Sequence, residues 1–298
     1  MLKKYFTKFF LFILSLGIVF PADADAPFGS ILLHHVVNDI NKIYVPIHIG
    51  GLDLSITKHV ILVLVIGLIT VLMGIIAASK YKKNNNKVPS KFSGLFEVLV
   101  EFINKDMVVP NIGKKYTSTW TPLIATFFLF ILLANFIGLI PFLAEEFFPG
   151  GSSTITGNIT VTAALALITF IAIIVAGTMK HGFIGHWKNM IPGGVPKPVL
   201  LILIPVEIMG MFIKPLALML RLGANMTAGH IGMVAIFGLP LLMMRGGFSE
   251  GIGLSVGGVA ILLNTAIFFL EMIVCMVQAY VFSLLSAVFI GMAIHAEH

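Results

Sequence analysis

Charge is scarce in this sequence. Only 11% of its 298 residues are charged, against about a quarter in soluble domains, while 58% are apolar and the mean hydropathy is +1.04. So little polar surface excludes an ordinary soluble domain and points to an integral membrane protein. Cysteine is nearly absent. Cys275 is the single one and lies in an apolar run, where it reads as a small buried hydrophobe; one thiol makes neither a disulfide framework nor a cysteine-based metal site. Also lacking are a phosphate-binding glycine loop and an HExxH zinc motif, any repeat of 20–50 residues, and the related halves found in many carriers. No metal and no cofactor is expected. The net charge of +6 comes from lysines that flank apolar segments, as loop charges do under the positive-inside rule. Nucleic acid is therefore not an expected partner; the lipid bilayer is.

What is abundant is long apolar sequence rich in Leu, Ile, Phe and Gly, which favours spanning helices over the alternating ten-residue strands of a barrel. Residues 1–26 read as a signal peptide. Lys3, Lys4 and Lys8 form its basic start, Phe9 to Phe20 its apolar core, and Ala22-Asp23-Ala24 or Ala24-Asp25-Ala26 its cleavage site; an uncleaved anchor is the rival reading. A cleaved signal, or an anchor that leaves the following residues outside, places residues 27–58 outside the cytoplasm, with Gly50-Gly51 as a turn. Residues 59–298 form the membrane domain. Its first span is about 60–79, with Lys80, Lys82, Lys83 and Lys87 marking a cytoplasmic end. Pro89 opens an amphipathic surface helix, with Phe92, Leu95, Phe96, Leu99, Phe102 and Ile103 on one face and Glu97, Glu101 and Lys105 opposite. The second span, about 120–143, exits toward Glu145 and Glu146 and an outer loop at Pro149 to Ser153. The third, about 160–179, returns to Lys180, His181, His186 and Lys188, whose histidines read as solvated loop residues.

Two apolar runs of more than forty residues follow, Val199 to Leu242 and Leu254 to Ile294. A forty-residue helix is about 60 Å long, twice a hydrocarbon core of about 30 Å. Each run is either two spans or one strongly tilted helix. Neither has a polar turn near its middle, and Pro205 and Pro215 can kink a spanning helix without stopping it. The reading is therefore a membrane-embedded hairpin, with helices at about 198–243 and 254–294 turning at Met243 to Gly253. The fold class is all-α and integral to the membrane: three roughly perpendicular spans, a long tilted hairpin and a surface amphipathic helix, with a cytoplasmic C-terminus.

The hairpin carries the polar residues. Glu207, Lys214 and Arg221 are seven apart and form one slowly drifting stripe, since seven residues advance about 700°. Asn225 rejoins the stripe four residues after Arg221, and His230 lies roughly opposite Arg221. The second helix repeats the interval with Asn264, Glu271 and Gln278. Arg221 keeps its proton at any relevant pH, and an arginine at membrane depth costs at least about 2.5–3.5 kcal/mol. No acid lies within two turns on its own stripe, so its partner belongs to another helix or another chain. Two readings of the remaining groups stay open. They form a track on which protons move between titratable groups and water, or they satisfy one another, as His230 with Glu271 and Glu207 with Lys214. Lys214 can also snorkel to an interface. Asn135 and Asn264 read as helix-to-helix hydrogen-bonding groups, and Ser286 as bonding back to its own helix.

Glu207 through Gly229, with Lys214-Pro215, Arg221-Leu222 and Asn225-Met-Thr-Ala-Gly229, resembles the core of subunit a of F-type ATP synthases. So does Glu271 followed by Gln278-Ala279. The similarity extends upstream to His34-His35, to Pro89 with the surface helix and Glu101 to Asn104, and to Asn135 through Pro141. The resemblance implies that Arg221 faces the carboxylates of the rotor ring. It also implies that Asn225, His230, Glu271 and Gln278 line an outer half-channel and that Glu207 serves the cytoplasmic one; Lys214, Asn264 and Asn135 are candidate supporting residues. Many bacterial members have an acid at the position of His230 and a histidine at that of Glu271; here the two are exchanged, as in mitochondrial members. The implied partners are the c-subunit ring, the b-subunit peripheral stalk and the other synthase subunits, in a bacterial inner membrane, with no catalysis by this chain. A self-contained ion or anion transporter with its site at Arg221 is the alternative; it calls for broken helices at a repeat interface. An intramembrane enzyme using His230 and Glu271 would need a nucleophile or metal triad, and no spacing in the sequence supplies one.

Overall fold

A computed structural model of the chain describes residues 43–46, 48–49, 52–53, 55–82, 91–139, 155–188, 197–246 and 249–295. The signal peptide, His34-His35, Pro89, Glu145, Glu146 and the Pro149 to Ser153 loop lie outside the described residues.

Two short antiparallel pairs come first. Strand β1 (Ile43–Val45) pairs with β4 (Ile56–Thr57), and β2 (His48–Ile49) with β3 (Leu52–Asp53). His48 opposes Asp53 and Ile49 opposes Leu52; the turn expected at Gly50-Gly51 lies outside the described residues. These strands were not foreseen, because each is only two or three residues long and shows no alternation.

The other described residues are mostly helical. Among the described residues five helices are long and apolar enough to cross a membrane: α1 (Lys58–Lys82), α4 (Thr117–Leu139), α5 (Ile159–His181), α7 (Lys197–Arg245) and α8 (Glu250–Ile294). Between them lie α2 (Lys91–Phe102), α3 (Val109–Ile112) and the six-residue α6 (Phe183–Lys188). The chain is thus a multi-pass, all-α membrane protein. Helices α4 and α5 have 23 residues each, about 35 Å, enough to cross the hydrocarbon layer. Helices α7 and α8 have 49 and 45 residues, and at about 70 Å such a helix stays inside that layer only if strongly tilted. Helix α7 continues through Pro205 and Pro215. The connection between α7 and α8 is shorter than Met243 to Gly253: helix persists to Arg245 and resumes at Glu250. Helix α4 ends at Leu139, and positions 140–143 lie outside the described residues.

The surface helix also departs from expectation. Leu95, placed on its apolar face, is 71% exposed, whereas Ser93 is buried. In a membrane protein the side facing lipid is as apolar as the side facing protein, so periodicity alone does not mark which is packed. After α2 the backbone widens into a π-helical turn over Ile103–Val108, with the Val109 amide donating to the Asn104 carbonyl. Pro110 follows at once; it has no amide proton and its ring crowds the carbonyl four residues back, so the wider turn accommodates it.

The described residues fall into two packing units. One comprises those within Met1–Leu62, Ala134–Asn158 and Ala224–Cys275; the other those within Val63–Leu133, Ile159–Gly223 and Met276–His298. In the second unit, α5 buries Thr162, Leu165, Ala166, Thr169, Ala172, Ile173, Ala176 and Gly177, a stripe of helical period. Leu167, Ile168, Ile171 and Val175 on its other side are exposed, which suits a lipid-facing surface. Ser286 donates to the Phe282 carbonyl at 2.8 Å, the back-bond expected for it, and its hydroxyl is also 3.3 Å from that of Thr169. Phe127 meets Phe282 edge-on at 5.5 Å.

His186 is not a solvated loop residue. It is buried, and its ring lies against Gly177, where any side chain would occupy the same space. Burial first, and the nearby His181 second, hold its imidazole below the ordinary 6.5. A folded-state pKa below the unfolded one means that the folded elbow binds the proton less readily. The stability this contributes is present above about pH 6.5 and is lost as pH falls through the depressed value. Amide protection factors of residues 183–188 are therefore expected to drop between about pH 7 and pH 5, and to stay level in His186→Phe.

Polar residues of the membrane helices as a candidate functional site

In the second unit, α7 carries Glu207, Lys214 and Arg221, and α8 carries Gln278. Met211, Pro215, Leu218 and Leu222 are buried and recur with helical spacing, so they form the packed side of this part of α7. That leaves Arg221 exposed. Among the described residues Arg221 makes no ion pair and no hydrogen bond. Glu207 is exposed as well, and no ion pair joins it to Lys214. Seven residues put them about 10 Å apart along the axis, beyond the three- or four-residue spacing that brings side chains together. Lys214 instead places its ammonium 5.9 Å from the centre of the Phe289 ring on α8, a cation–π contact. Gln278 is buried.

In the first unit, α7 carries Asn225 and His230, and α8 carries Asn264 and Glu271. His230, Asn264 and Glu271 are buried, and Asn225 is exposed. The Glu271 carboxylate lies on the backbone of α7 at Gly229, so close that a Cβ there would fall on its Oε1. Gly229 directly precedes His230, so the acid is brought to the histidine's own turn of α7. Asn264 donates from Nδ2 to the Met233 carbonyl at 3.1 Å, one helix to the other. Among the described residues no three His, Cys, Asp or Glu side chains gather as a metal site would need.

Asn135, near the end of α4, stands at the centre of a buried network. Its Nδ2 donates to the Cys275 carbonyl at 3.4 Å, and its Oδ1 accepts from the Thr156 hydroxyl at 2.5 Å. The next residue in helical turn Ile155–Gly157 finishes the tie: Thr227 on α7 donates to the Gly157 carbonyl at 3.0 Å. One short turn thus joins α4, α7 and α8 within this unit. Thr156→Val removes the hydroxyl and leaves the buried Asn135 Oδ1 without this bond, for an expected cost of about 1–3 kcal/mol. Unfolding in mixed micelles measures it, and an unchanged midpoint would show that the turn carries no stability.

Gly229, Thr156, Thr227 and Phe289 take part in these contacts and were not singled out from the sequence. Gly229 and Thr227 lie inside the stretch that carried the resemblance, but a glycine offers no chemistry to notice. Thr156 and Phe289 give no signal at all.

The profile of the ATP synthase A chain family matches residues 60–291. The chain belongs to that family. It is similar to ATP synthase subunit a of Chloroherpeton thalassium, 37% identical over 276 residues, which covers 89% of this chain and 77% of that one. The subunit a of Myxococcus xanthus is 39% identical over 250 residues, covering 84% and 76%. ATP synthase subunit a 2 of Chlorobaculum tepidum is 34% identical over 283 residues, covering 91% and 75%. The matched stretch of the ATP synthase A chain profile begins inside α1 and runs through most of α8, so the polar residues of this candidate site on α4, α7 and α8 all fall within it.

Proposed function

We propose that this chain is the stator proton channel of an ATP synthase membrane sector, with Arg221 facing the carboxylates of a rotating c-subunit ring. One observation carries the reading: a permanently charged side chain stands on the open side of a long apolar helix with no acid of its own chain beside it among the described residues. An uncompensated charge at that depth is costly, and a passing ring of acids supplies the missing partner from outside the chain.

The chemistry follows from the guanidinium. A rotor carboxyl that reaches Arg221 is stabilised in its ionised form and releases its proton. Arg221 cannot pass that proton on, so it separates the two routes by which protons enter and leave. Asn225, His230, Glu271 and Gln278 serve the outer route, Glu207 the cytoplasmic one, with Lys214, Asn264 and Asn135 in supporting positions. Once reprotonated, a rotor carboxyl enters lipid at far lower cost than a charged one, and the proton gradient gives the rotation its direction. ATP is made elsewhere in the complex, and this chain is not itself a catalyst. Its setting is a bacterial inner membrane, beside the c-ring and the b-subunit stalk, with the mature N-terminus outside and the C-terminus in the cytoplasm.

Cross-linking tests the facing surface. In a Cys275→Ser background, cysteines at the exposed positions Ala217 and Ala224 are expected to form disulfides with a cysteine placed beside the rotor carboxylate, and cysteines at the buried positions Leu218 and Met226 are not. Cross-links confined to the buried pair, or absent throughout, would remove α7 from the rotor.

A further inference from the structure

Helix α5 ends in an elbow that the channel reading leaves unused. Gly182, at φ +76°, breaks the helix in a conformation that glycine adopts without strain, and α6 starts immediately after it. One contact fixes the direction of α6, its buried His186 filling the hollow over Gly177, while His181 ties the end of α5 to the Ile294 carbonyl of α8 at 3.1 Å. Held in this way, α6 presents Phe183, Ile184 and Trp187 outward, at 66%, 81% and 41% exposure. Lys180 and Lys188 flank them and are exposed. No Asp or Glu occurs anywhere from residue 159 to residue 188.

We propose that this elbow is a docking site for an anionic phospholipid, with its headgroup phosphate between Lys180 and Lys188 and its acyl chains against Phe183, Ile184 and Trp187. Three observations select this occupant. The elbow closes a membrane-crossing helix, which sets it at the depth of the headgroups. Its two lysines have no acid on α5 or α6 to neutralise them, so a net-negative headgroup is complementary where a zwitterionic one is not. The exposed apolar side chains lie between the two lysines in sequence, so one short elbow offers cations for a phosphate and an apolar surface for hydrocarbon. The buried His186 anchors the elbow from below, which gives the site a fixed shape in place of a mobile basic loop.

Trp187 supplies the readout. The chain has two tryptophans, and the other, Trp120, is buried, so W120F leaves Trp187 as the sole reporter in the full chain reconstituted into vesicles. Acyl-brominated phosphatidylglycerol diluted in plain phosphatidylcholine is compared with brominated phosphatidylcholine diluted in plain phosphatidylglycerol. The anionic lipid is expected to associate with Trp187 about fivefold or more over the zwitterionic one, and K180Q/K188Q, with unchanged circular dichroism, is expected to bring the ratio to about one. Equal quenching by both lipids overturns the proposal. So does a preference that survives K180Q/K188Q, and so does the absence of quenching by either, the result expected if protein covers the elbow.

Discussion

Arg221→Ala is expected to lower ATP synthesis and coupled proton pumping by about a hundredfold or more, the scale that follows from removing one partner of a desolvated charge pair. The complex should still assemble, because Arg221 is exposed and bonds to nothing in its own chain among the described residues. The packed side of α7 at this level consists of Leu218 and Leu222, at 2% and 0% exposure, and the substitution leaves both in place. Two defects should appear together. Rotor carboxylates lose the cation that favours proton release, and the barrier between the two proton routes is gone, so passive leak rises as coupling falls. Arg221→Lys keeps the charge without the planar fork, and an intermediate defect is expected. Synthesis and leak measured on the same vesicles check this; normal coupling in Arg221→Ala would refute the assigned role.

Gly229→Ala should produce a second large effect for a different reason. A Cβ at this position falls on the Glu271 carboxylate. The carboxylate is the free end of a flexible side chain and can swing away at little cost, and alanine favours helix over glycine by up to about 1 kcal/mol. Folding should therefore survive while the carboxyl is displaced. Misplacing a reacting group by about 1 Å can cost as much as a hundredfold in rate, so passive proton flux through the membrane sector is expected to fall about tenfold or more. Gly232→Ala is the control, since nothing lies within 4 Å of a Cβ there. Flux unchanged in both variants would mean that the position of Glu271 beside Gly229 has no bearing on the proton path.

Much of the architecture was legible because membrane physics leaves few options. An apolar run of more than forty residues without a central polar turn can hardly be anything but one long helix, and α7 and α8 are that. The isolation of Arg221 was legible too, from the absence of acids within two turns. Partners across space were not. Glu207 and Lys214 share a stripe and so looked like a pair, yet Lys214 sits over Phe289, a residue far along the chain. The helix-bridging character of Asn135 follows from its chemistry, but its acceptor on Cys275 is 140 residues away, and no spacing rule reaches that far. His186 was misjudged because its burial depends on the missing side chain of Gly177. Leu95 was misplaced because apolar periodicity cannot tell lipid from protein as a neighbour.

The most direct measurement is an experimental structure of the assembled membrane sector that resolves Arg221 beside the rotor. The guanidinium should point away from its own chain, with a rotor carboxylate as the nearest acid, within about 4–6 Å. A guanidinium folded back onto Glu207 or Glu271, with the ring apposed to some other surface of the chain, would contradict the proposal.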